Sequence, residues 1–375
     1  IKECDWSSDV CSSDLGPTLG RYIGRRTLGS ILAIFVIAFA IVLLFDFLDM
    51  VRANVDKPSF SWWIAFLASF CRIPAFSEQV LPFATLFGVM TALLGLSRKL
   101  ELVVARAAGI SAWQFLTPAA VVAGGLGLLS ALVYNPVAAE LKERSEALSM
   151  QLAGDSPRAV DGAREIWLRQ SSDEGESIIH ALRASDRGLH LAGVTVQTFD
   201  RRGIFHNRIE AASADHAGDH WDLKKVTIHA HGAAPEPHDT WKLPTRLKRE
   251  QVGESLAEPD TVSFWALPSF IDAARNAGLP AFQFELQYQL LLSRPLLLVA
   301  MVLIAATVSL RVFRFGNIGR MILGGVGAGF VLYVAGELAR GLGGAGVVPP
   351  VLAAWSPAVI ASSIGFTVLL HQEDG

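Results

Sequence analysis

The fold is decided by a stretch near the start of the chain, TLGSILAIFVIAFAIVLLF at residues 27–45, in which no side chain is charged. Arg26 precedes this stretch and Asp46 follows it. A helix needs roughly 20 apolar residues to cross a hydrocarbon core about 30 Å thick. The stretch has about that length, so it predicts a helix that spans a membrane.

Five further stretches of the same kind follow, two before a long polar region and three after it. They are 79–97, 107–139 (crossing at about 113–135), 295–310 (extendable back to about 286), 321–336 and 341–370. Six such helices exceed what the core of one soluble domain of this size buries. We therefore predict a membrane protein with six transmembrane helices, three on each side of an inserted domain.

The composition agrees with this prediction. The chain is 51% hydrophobic and 18% charged, whereas soluble domains carry roughly 25% charged residues. Its net charge of −3 is too small to indicate a nucleic acid or another strongly charged partner.

The first fifteen residues, IKECDWSSDVCSSDL, differ from the rest of the chain. They do not begin with Met and are rich in Ser, Asp and Cys. We expect Ile1–Leu15 to be a non-native leader from adaptor or vector sequence and leave it out of the fold prediction. Because Cys4 and Cys11 lie in it, Cys71 is left alone, and the inserted domain is expected to fold without a disulfide.

Basic residues distinguish the two sides of the membrane. Three arginines lie at residues 21–26 before the first span, and the short connections 98–106 and 311–320 each carry three basic residues. On the opposite side, residues 342–349 carry no charge. Lys and Arg are enriched on the cytoplasmic side. We therefore predict cytoplasmic N- and C-termini and a location on the opposite side of the membrane for the polar region, residues 140–282.

The segment Trp62–Cys71 is apolar but too short to cross a membrane by itself. It either lies in the membrane interface or forms the outer turns of a long, tilted second span. The sequence leaves both interpretations open.

The polar region has the two-residue periodicity of β-strands. In Lys225–Ala230, apolar and polar side chains alternate, and a similar run through Leu191, Val194 and Val196 ends at a turn near residues 200–203. Six to eight short strands are expected, as in an antiparallel sandwich, a jelly roll or an open barrel. Helical spacing at 265–278 predicts an amphipathic helix that returns the chain to the fourth span.

Motifs of catalysis are missing from the sequence. Eight of the nine histidines lie in the polar region, and His229 and His231 share one face of a predicted strand. Zinc sites need three or four ligands, and neither a nearby Cys nor an HExxH helix accompanies this pair, so we predict strand-face histidines rather than a metal site. GxSxG, Walker and GxGxxG motifs are also missing, so no cofactor is expected. If the chain performs work, the energy would have to come from a partner or a gradient.

The most distinctive local pattern is SRKLELVVARAAGIS at residues 97–111, between the second and third spans. Its apolar residues share one helix face: Leu100, Val103, Val104 and Ala107. Its polar side is marked by Arg98, Glu101 and Arg106. We predict a short amphipathic helix at about 98–109 that ends at Gly109. Such a helix rests on the lipid surface or docks into a groove of a soluble partner, and the glycine stop favours docking.

Three motifs resemble the LptF/LptG (YjgP/YjgQ) permease family of lipopolysaccharide export. They are RYIGR at 21–25, ELVVARAAGIS at 101–111 and VPPVLAAWSP at 348–357. The ELVV form of the loop is most similar to the LptG branch. The resemblance runs from about residue 20 to residue 370 and includes FWALP at 264–268.

The resemblance implies six spans, a periplasmic β-jellyroll and a permease subunit without its own ATPase site. It implies three kinds of partner: an LptF-type permease, a dimer of LptB-type ATPases and an LptC-type bitopic protein. Lipopolysaccharide would be extracted from the inner membrane between spans one and five of facing subunits and passed through the β domain to a periplasmic bridge.

The resemblance also assigns candidate site residues. The ATPase-coupling element would comprise Arg98, Glu101, Leu102, Arg106 and Gly109. Some family members carry basic residues at the outer ends of spans one and two for the lipid phosphates. Here Arg52 and Arg72 are the candidates, although the first span ends in Asp46 and Asp49.

Two other classes of protein remain open on the residues alone. Lipoprotein-release and macrolide-type ABC permeases also have a large outer domain, but it follows the first of four spans. A non-transporting membrane scaffold would have little use for a separately capped cytoplasmic helix. Co-purification of an ATPase would discriminate among these classes.

Overall fold

A computed structural model describes residues 17–374 apart from gaps at 58–59, 102–103, 105–106, 108–110, 154–165, 173–174, 186–187, 201–203, 231–234, 246–258, 277–280 and 316–317. The leader expected at Ile1–Leu15 lies outside the described residues. Leu102, Arg106, Gly109 and His231 lie outside them as well.

Six long helices of the described chain are apolar enough to cross a membrane, three before the polar region and three after it. The helices in chain order are α1 Pro17–Asn54, α2 Trp62–Arg98, α3 Ala112–Leu129, α4 Asn135–Ala153, α5 Leu267–Asn276, α6 Phe282–Phe315, α7 Ile318–Gly344 and α8 Pro350–Asp374. A π-helical turn, Ser130–Tyr134, joins α3 to α4, so the two helices form one continuous span. The prediction of three spans on each side of an insertion is confirmed.

The second span is longer than its uncharged stretch. Helix α2 begins at Trp62 and continues without interruption to Arg98. Trp62–Cys71 therefore forms the first turns of this helix, and the interpretation as a long second span is the observed one.

The described chain divides into two compact units, and the first is helical. It comprises the residues up to Leu44, Phe76–Asn135 and Gln289 onward. Glycines allow close helix contact in this unit: a Cβ on Gly127 would lie 2.5 Å from Cα of Pro295, and one on Gly88 would lie 2.6 Å from Cα of Ile31. Small residues permit such backbone contacts where lipid provides no hydrophobic drive between helices.

Replacing Gly127 by alanine is expected to lower the stability of the helical unit by about 2 kcal/mol, because α3 and α6 must separate to admit the methyl group. Gly125 is the matched control, since its Cβ would meet no atom within 4 Å. Gly125→Ala should be neutral or stabilising by up to about 1 kcal/mol through helix propensity. Thermal unfolding of the purified protein in detergent measures both, and equal midpoints for the two variants would contradict the prediction.

The second unit comprises Phe45–Ala75 and Pro136–Tyr288 and contains the sheet. Its strands are β1 Ile166–Ser172, β2 Gly175–Ser185, β3 His190–Phe199, β4 Phe205–His216, β5 His220–Ala230 and β6 Glu236–Pro244. Neighbouring strands pair antiparallel in the order β1-β2-β3-β4-β5-β6. The all-β insertion is therefore confirmed, but the described strands connect as a meander.

The alternation of buried side chains changes phase inside the strands. In β3, both Leu191 and Val194 are buried although they are three residues apart. Gly193 lies between them with φ +65°, in the left-handed region that favours glycine. In β5, Lys225 has φ +52° and separates buried Leu223 from buried Val226. In β3 and in β5, one residue with positive φ thus keeps both halves of the strand facing the same core.

A buried glutamine links the two edge strands. Gln170 on β1 is 2% exposed and donates to Ser177 Oγ (3.0 Å) and to the carbonyl oxygen of Pro244 at the end of β6 (3.3 Å). Its Oε1 accepts hydrogen bonds from Trp221 Nε1 (3.2 Å) and Thr245 Oγ1 (2.6 Å). Because the amide is well satisfied, it costs little to bury and ties β1 to the end of β6.

Candidate functional site

The loop predicted to couple to an ATPase begins after a break in the helix. Helix α2 ends at Arg98, and Leu100 has φ +60°, a left-handed conformation of the kind that ends helices. Glu101, Val104 and Ala107 are helical again, and the amide of Val104 donates to the carbonyl of Leu100 at 3.0 Å. Arg98 therefore belongs to the last turn of α2, and the separate helix starts later than the expected residue 98.

Glu101 is held by the N-terminal part of α1. Tyr22 OH donates to Glu101 Oε2 at 3.1 Å, and Arg26 NH1 donates to Tyr22 OH at 2.9 Å. Arg26 NH1 also lies 3.8 Å from Glu101 Oε2. The structure thus brings two of the three motifs, RYIGR and ELVVARAAGIS, into direct contact. The distribution of basic residues predicted both motifs on one side of the membrane, but the pairing of Tyr22 with Glu101 is visible only in the structure.

A glycine on α2 makes room for this contact. A Cβ on Gly95 would lie 2.6 Å from Arg26 NH2, so the guanidinium crosses α2 where a side chain is missing. Three buried side chains on either side of Arg26 in α1 are spaced four residues apart: Ile23 (4% exposed), Thr27 (2%) and Ile31 (0%). This spacing defines one helix face, and α1 therefore packs against the helical core along its first half.

A buried ion pair lies in the helical unit at the π-helical turn. Arg294 NH1 on α6 donates to Glu78 Oε2 on α2 (2.8 Å) and to Ser130 Oγ (2.9 Å). Asn135 Nδ2 donates to Glu78 Oε1 at 3.2 Å. The side chains of Arg294 and Glu78 are 13% and 7% exposed. Ionisable groups in membrane spans and π-helical turns are both common at functional positions.

Both charges are visible in the sequence: Glu78 directly precedes the uncharged stretch 79–97, and Arg294 directly precedes residues 295–310. Only the structure shows that they pair. At 1.5 Å per residue, Glu78 lies about 30 Å along α2 from Arg98. Glu78 and Arg294 carry opposite charges and lie on two different spans. This combination is the sequence signal from which the pair could have been predicted.

The two candidate phosphate ligands each contact an aspartate of α1. Arg72 NH1 lies 3.4 Å from Asp46 Oδ1, and these side chains are 33% and 15% exposed. Arg52 NH1 lies 3.7 Å from Asp49 Oδ1, and both side chains are more than three-quarters exposed. Because water screens the exposed pair strongly, Arg52 is the arginine that exchanges its partner more easily.

Histidines of the sheet pair with carboxylates. His190 Nδ1 and Asp215 Oδ1 are hydrogen-bonded, and Lys224 Nζ donates to Asp215 Oδ2 at 2.7 Å. Burial raises the pKa of Asp215, but the hydrogen bonds from Lys224 and His190 outweigh it and leave the pKa below its usual value. Across the described parts of the chain, no three His, Cys, Asp or Glu side chains are placed to share a metal ion. Of the histidines His229 and His231 that were considered as possible ligands from the sequence, His231 lies outside the described residues.

Of the six spans, α1 and α7 have the smallest buried share, and many of their large apolar side chains are exposed. On α1 these are Val36, Ile37, Ile41 and Leu44. On α7 they are Leu323, Phe330, Val331 and Leu338. Few residues in the most apolar part of either helix are buried within the chain. Both surfaces therefore require lipid or another protein to cover them.

Six apolar helices long enough to span a membrane, with a β domain inserted between the third and the fourth, define a polytopic membrane protein. The chain matches the family described as "Lipopolysaccharide export system permease LptF/LptG" over residues 21–371. It belongs to this family, as the three motifs indicated, and is a multi-pass protein of the inner membrane.

Named relatives agree with this assignment. A "Lipopolysaccharide export system permease protein LptG" from Haemophilus influenzae is 27% identical over 373 residues, which cover 95% of this chain and 99% of the relative. The protein of the same name from Escherichia coli K12 is 22% identical over 363 residues, covering 94% and 98%. The similarity therefore extends through the spans and the β domain alike.

Proposed function

We propose that this chain is the permease subunit of an ATP-driven transporter that extracts lipopolysaccharide from the inner membrane and passes it to a periplasmic bridge. Membership of the LptF/LptG family supports the cargo. The sequence lacks Walker motifs, so ATP hydrolysis is assigned to a partner, a dimer of LptB-type ATPases. An LptF-type permease and an LptC-type bitopic protein complete the proposed assembly.

The observation that carries this proposal is the exposed apolar surface of α1 and α7. Val36 is 62% exposed on α1, and Val331 is 68% exposed on α7. In the assembly, these faces would meet the partner permease and enclose acyl chains between the two subunits. A lipid could then enter sideways from the bilayer without exposing its chains to water.

Extraction on this path needs an energy source. Transfer of an acyl chain out of the bilayer costs roughly 0.8 kcal/mol for each CH₂ group that loses its apolar surroundings. A lipid with several chains therefore requires repeated ATP hydrolysis. The loop around Glu101, with Arg98, Leu102, Arg106 and Gly109, is the element proposed to receive the motion of the ATPase on the cytoplasmic side.

The β domain is proposed to lie in the periplasm, next to the bridge. Its inner face is filled by its own side chains, among them Trp221 (0% exposed), Leu223 (0%) and Val226 (1%). Passage of acyl chains along this face therefore requires β1 and β6 to separate, which would break the hydrogen bonds of Gln170.

The proposal is tested by expressing the tagged chain together with its genomic neighbours. We expect an ATPase and a second permease to co-purify and, after reconstitution, ATP-dependent release of lipopolysaccharide to a soluble acceptor. Absence of an ATPase would favour the membrane scaffold instead. An ATPase-containing complex that releases lipoproteins but no lipopolysaccharide would favour the lipoprotein-release class.

Contact with lipid phosphate is proposed for Arg52 and Arg72. Arg52→Ala is expected to lower the amount of lipopolysaccharide retained by the purified complex about tenfold, the value of one charge-assisted hydrogen bond. Asp49→Asn should raise retention, since it frees Arg52 from its aspartate. Bound lipid is measured by mass spectrometry after purification, with Arg144→Ala on α4 as an exposed control. Equal retention in all three variants would contradict the assignment of Arg52.

A further inference from the structure

We infer that Tyr22 and Arg26 are positioning residues of the coupling loop: they fasten Glu101 to α1, so that displacement of the loop by an ATPase moves α1 directly. The inference rests on the proposed function and deepens it by naming the connection between the energy source and the helix that faces the lipid. It is carried by three observations: the contacts of Glu101, the packing of α1 and the position of its exposed face.

The contacts of Glu101 form a chain of hydrogen bonds. The Tyr22 hydroxyl donates to the Glu101 carboxylate at 3.1 Å and accepts from Arg26 NH1 at 2.9 Å. A hydroxyl that accepts from a guanidinium is a better donor to a carboxylate, so the two bonds strengthen each other. Tyr22 and Glu101 are 79 positions apart in the sequence, and the contact therefore links the loop to a different span.

The first half of α1 is packed closely against α2, so that a displacement of Arg26 also displaces the helix. Arg26 passes over Gly95, where a Cβ would lie 2.6 Å from NH2. Seven residues earlier on α2, a Cβ on Gly88 would lie 2.6 Å from Cα of Ile31. Close-packed interiors transmit displacement rather than absorb it, and a shift of Arg26 is therefore passed along the helix.

The exposed face of α1 follows on the same unbroken helix. Val36, Ile37 and Ile41 are each at least half exposed, and α1 is helical from Pro17 to Asn54. The residues that contact Glu101 and the residues proposed to meet the acyl chains thus belong to one unbroken helix. Movement of the loop reaches the lipid-facing surface without an intervening joint.

The same contacts contribute little to folding, which makes the inference testable. The side chains of Arg26 and Glu101 are 24% and 37% exposed, and Tyr22 is 44% exposed. Exposed ion pairs have small effects on stability because water screens them. Loss of transport in their variants is therefore separable from loss of the fold.

The test uses the complete co-purified complex in proteoliposomes and measures lipopolysaccharide released per ATP hydrolysed. We expect Arg26→Ala and Tyr22→Phe to lower this ratio about fivefold or more, the range of a typical coupling free energy. Arg25→Ala is the matched control, because it removes the same charge from an exposed neighbouring position. Arg26→Lys should restore most of the ratio, since it keeps the cation.

Gly95→Leu provides a second variant that removes no polar group. Its side chain would displace the Arg26 guanidinium and is expected to lower the ratio as Arg26→Ala does. The inference is overturned if both Arg26→Ala and Tyr22→Phe match Arg25→Ala, or if the ratio falls only in step with the melting temperature. A wild-type complex that releases no lipid would refute the proposed function itself, and the inference with it.

Discussion

Arg294→Leu is expected to lower the free energy of unfolding by about 3–5 kcal/mol, because it leaves the buried Glu78 carboxylate without its cation. Glu78 is 7% exposed and receives the Arg294 hydrogen bond at 2.8 Å. The Ser130 hydroxyl at the π-helical turn loses a donor in the same variant. Thermal and denaturant unfolding of the purified protein in detergent measure the change.

The double variant Glu78→Leu/Arg294→Leu distinguishes pairing from simple loss of contacts. Replacing both charges with apolar groups removes the unpaired carboxylate, so the stability should return close to that of the wild type. The exposed pair Glu140–Arg144 on α4 is the control, and Arg144→Ala should cost no more than about 0.5 kcal/mol. A double variant as unstable as Arg294→Leu would show that the ion pair is not the origin of the effect.

Glu101→Ala is expected to reduce lipopolysaccharide release by one to two orders of magnitude, the upper part of the range for coupling between sites. The variant removes the carboxylate that binds Tyr22 and lies beside Arg26, and in the proposed complex it also alters the surface presented to the ATPase. Because the Glu101 side chain is 37% exposed and its ion pair is screened by water, the unfolding temperature should stay within the error of the wild type. ATP-dependent release in proteoliposomes, measured with unfolding temperature, gives both quantities.

Two further variants sharpen this prediction. Glu101→Gln keeps the side-chain size and one acceptor oxygen, so it should retain more transport than Glu101→Ala. Glu140→Ala removes an exposed carboxylate from α4 and should leave release unchanged. Wild-type release by Glu101→Ala would remove the coupling role from this residue.

The spans and the strands were predictable because burial imposes short periods on the sequence. A helix that crosses lipid must be apolar for roughly 20 residues, and residues 27–45 carry no charge. Alternation in Lys225–Ala230 likewise predicted that Val226 faces the core, where it is 1% exposed. The meander order of the strands was not predictable, because strand pairing leaves no mark on the period of a single strand.

The site was predictable only one residue at a time. The sequence alone marked Glu101 as part of an amphipathic loop, and it shows Glu78 and Arg294 only as charges directly before the uncharged stretches 79–97 and 295–310. Their partners are far along the chain: Tyr22 is 79 positions from Glu101, and Arg294 is 216 from Glu78. Local periodicity carries no information about contacts at such separations.

The sequence by itself determined that the protein has six spans, that a β domain is inserted between them, and which family it belongs to. These properties follow from the hydrophobic effect acting on short segments and from motifs of a few residues. Only the tertiary structure decided that Tyr22 and Arg26 contact Glu101 and that Arg294 pairs with Glu78. Such contacts depend on how helices cross, which is set by close-packed positions such as Gly95 and Gly127.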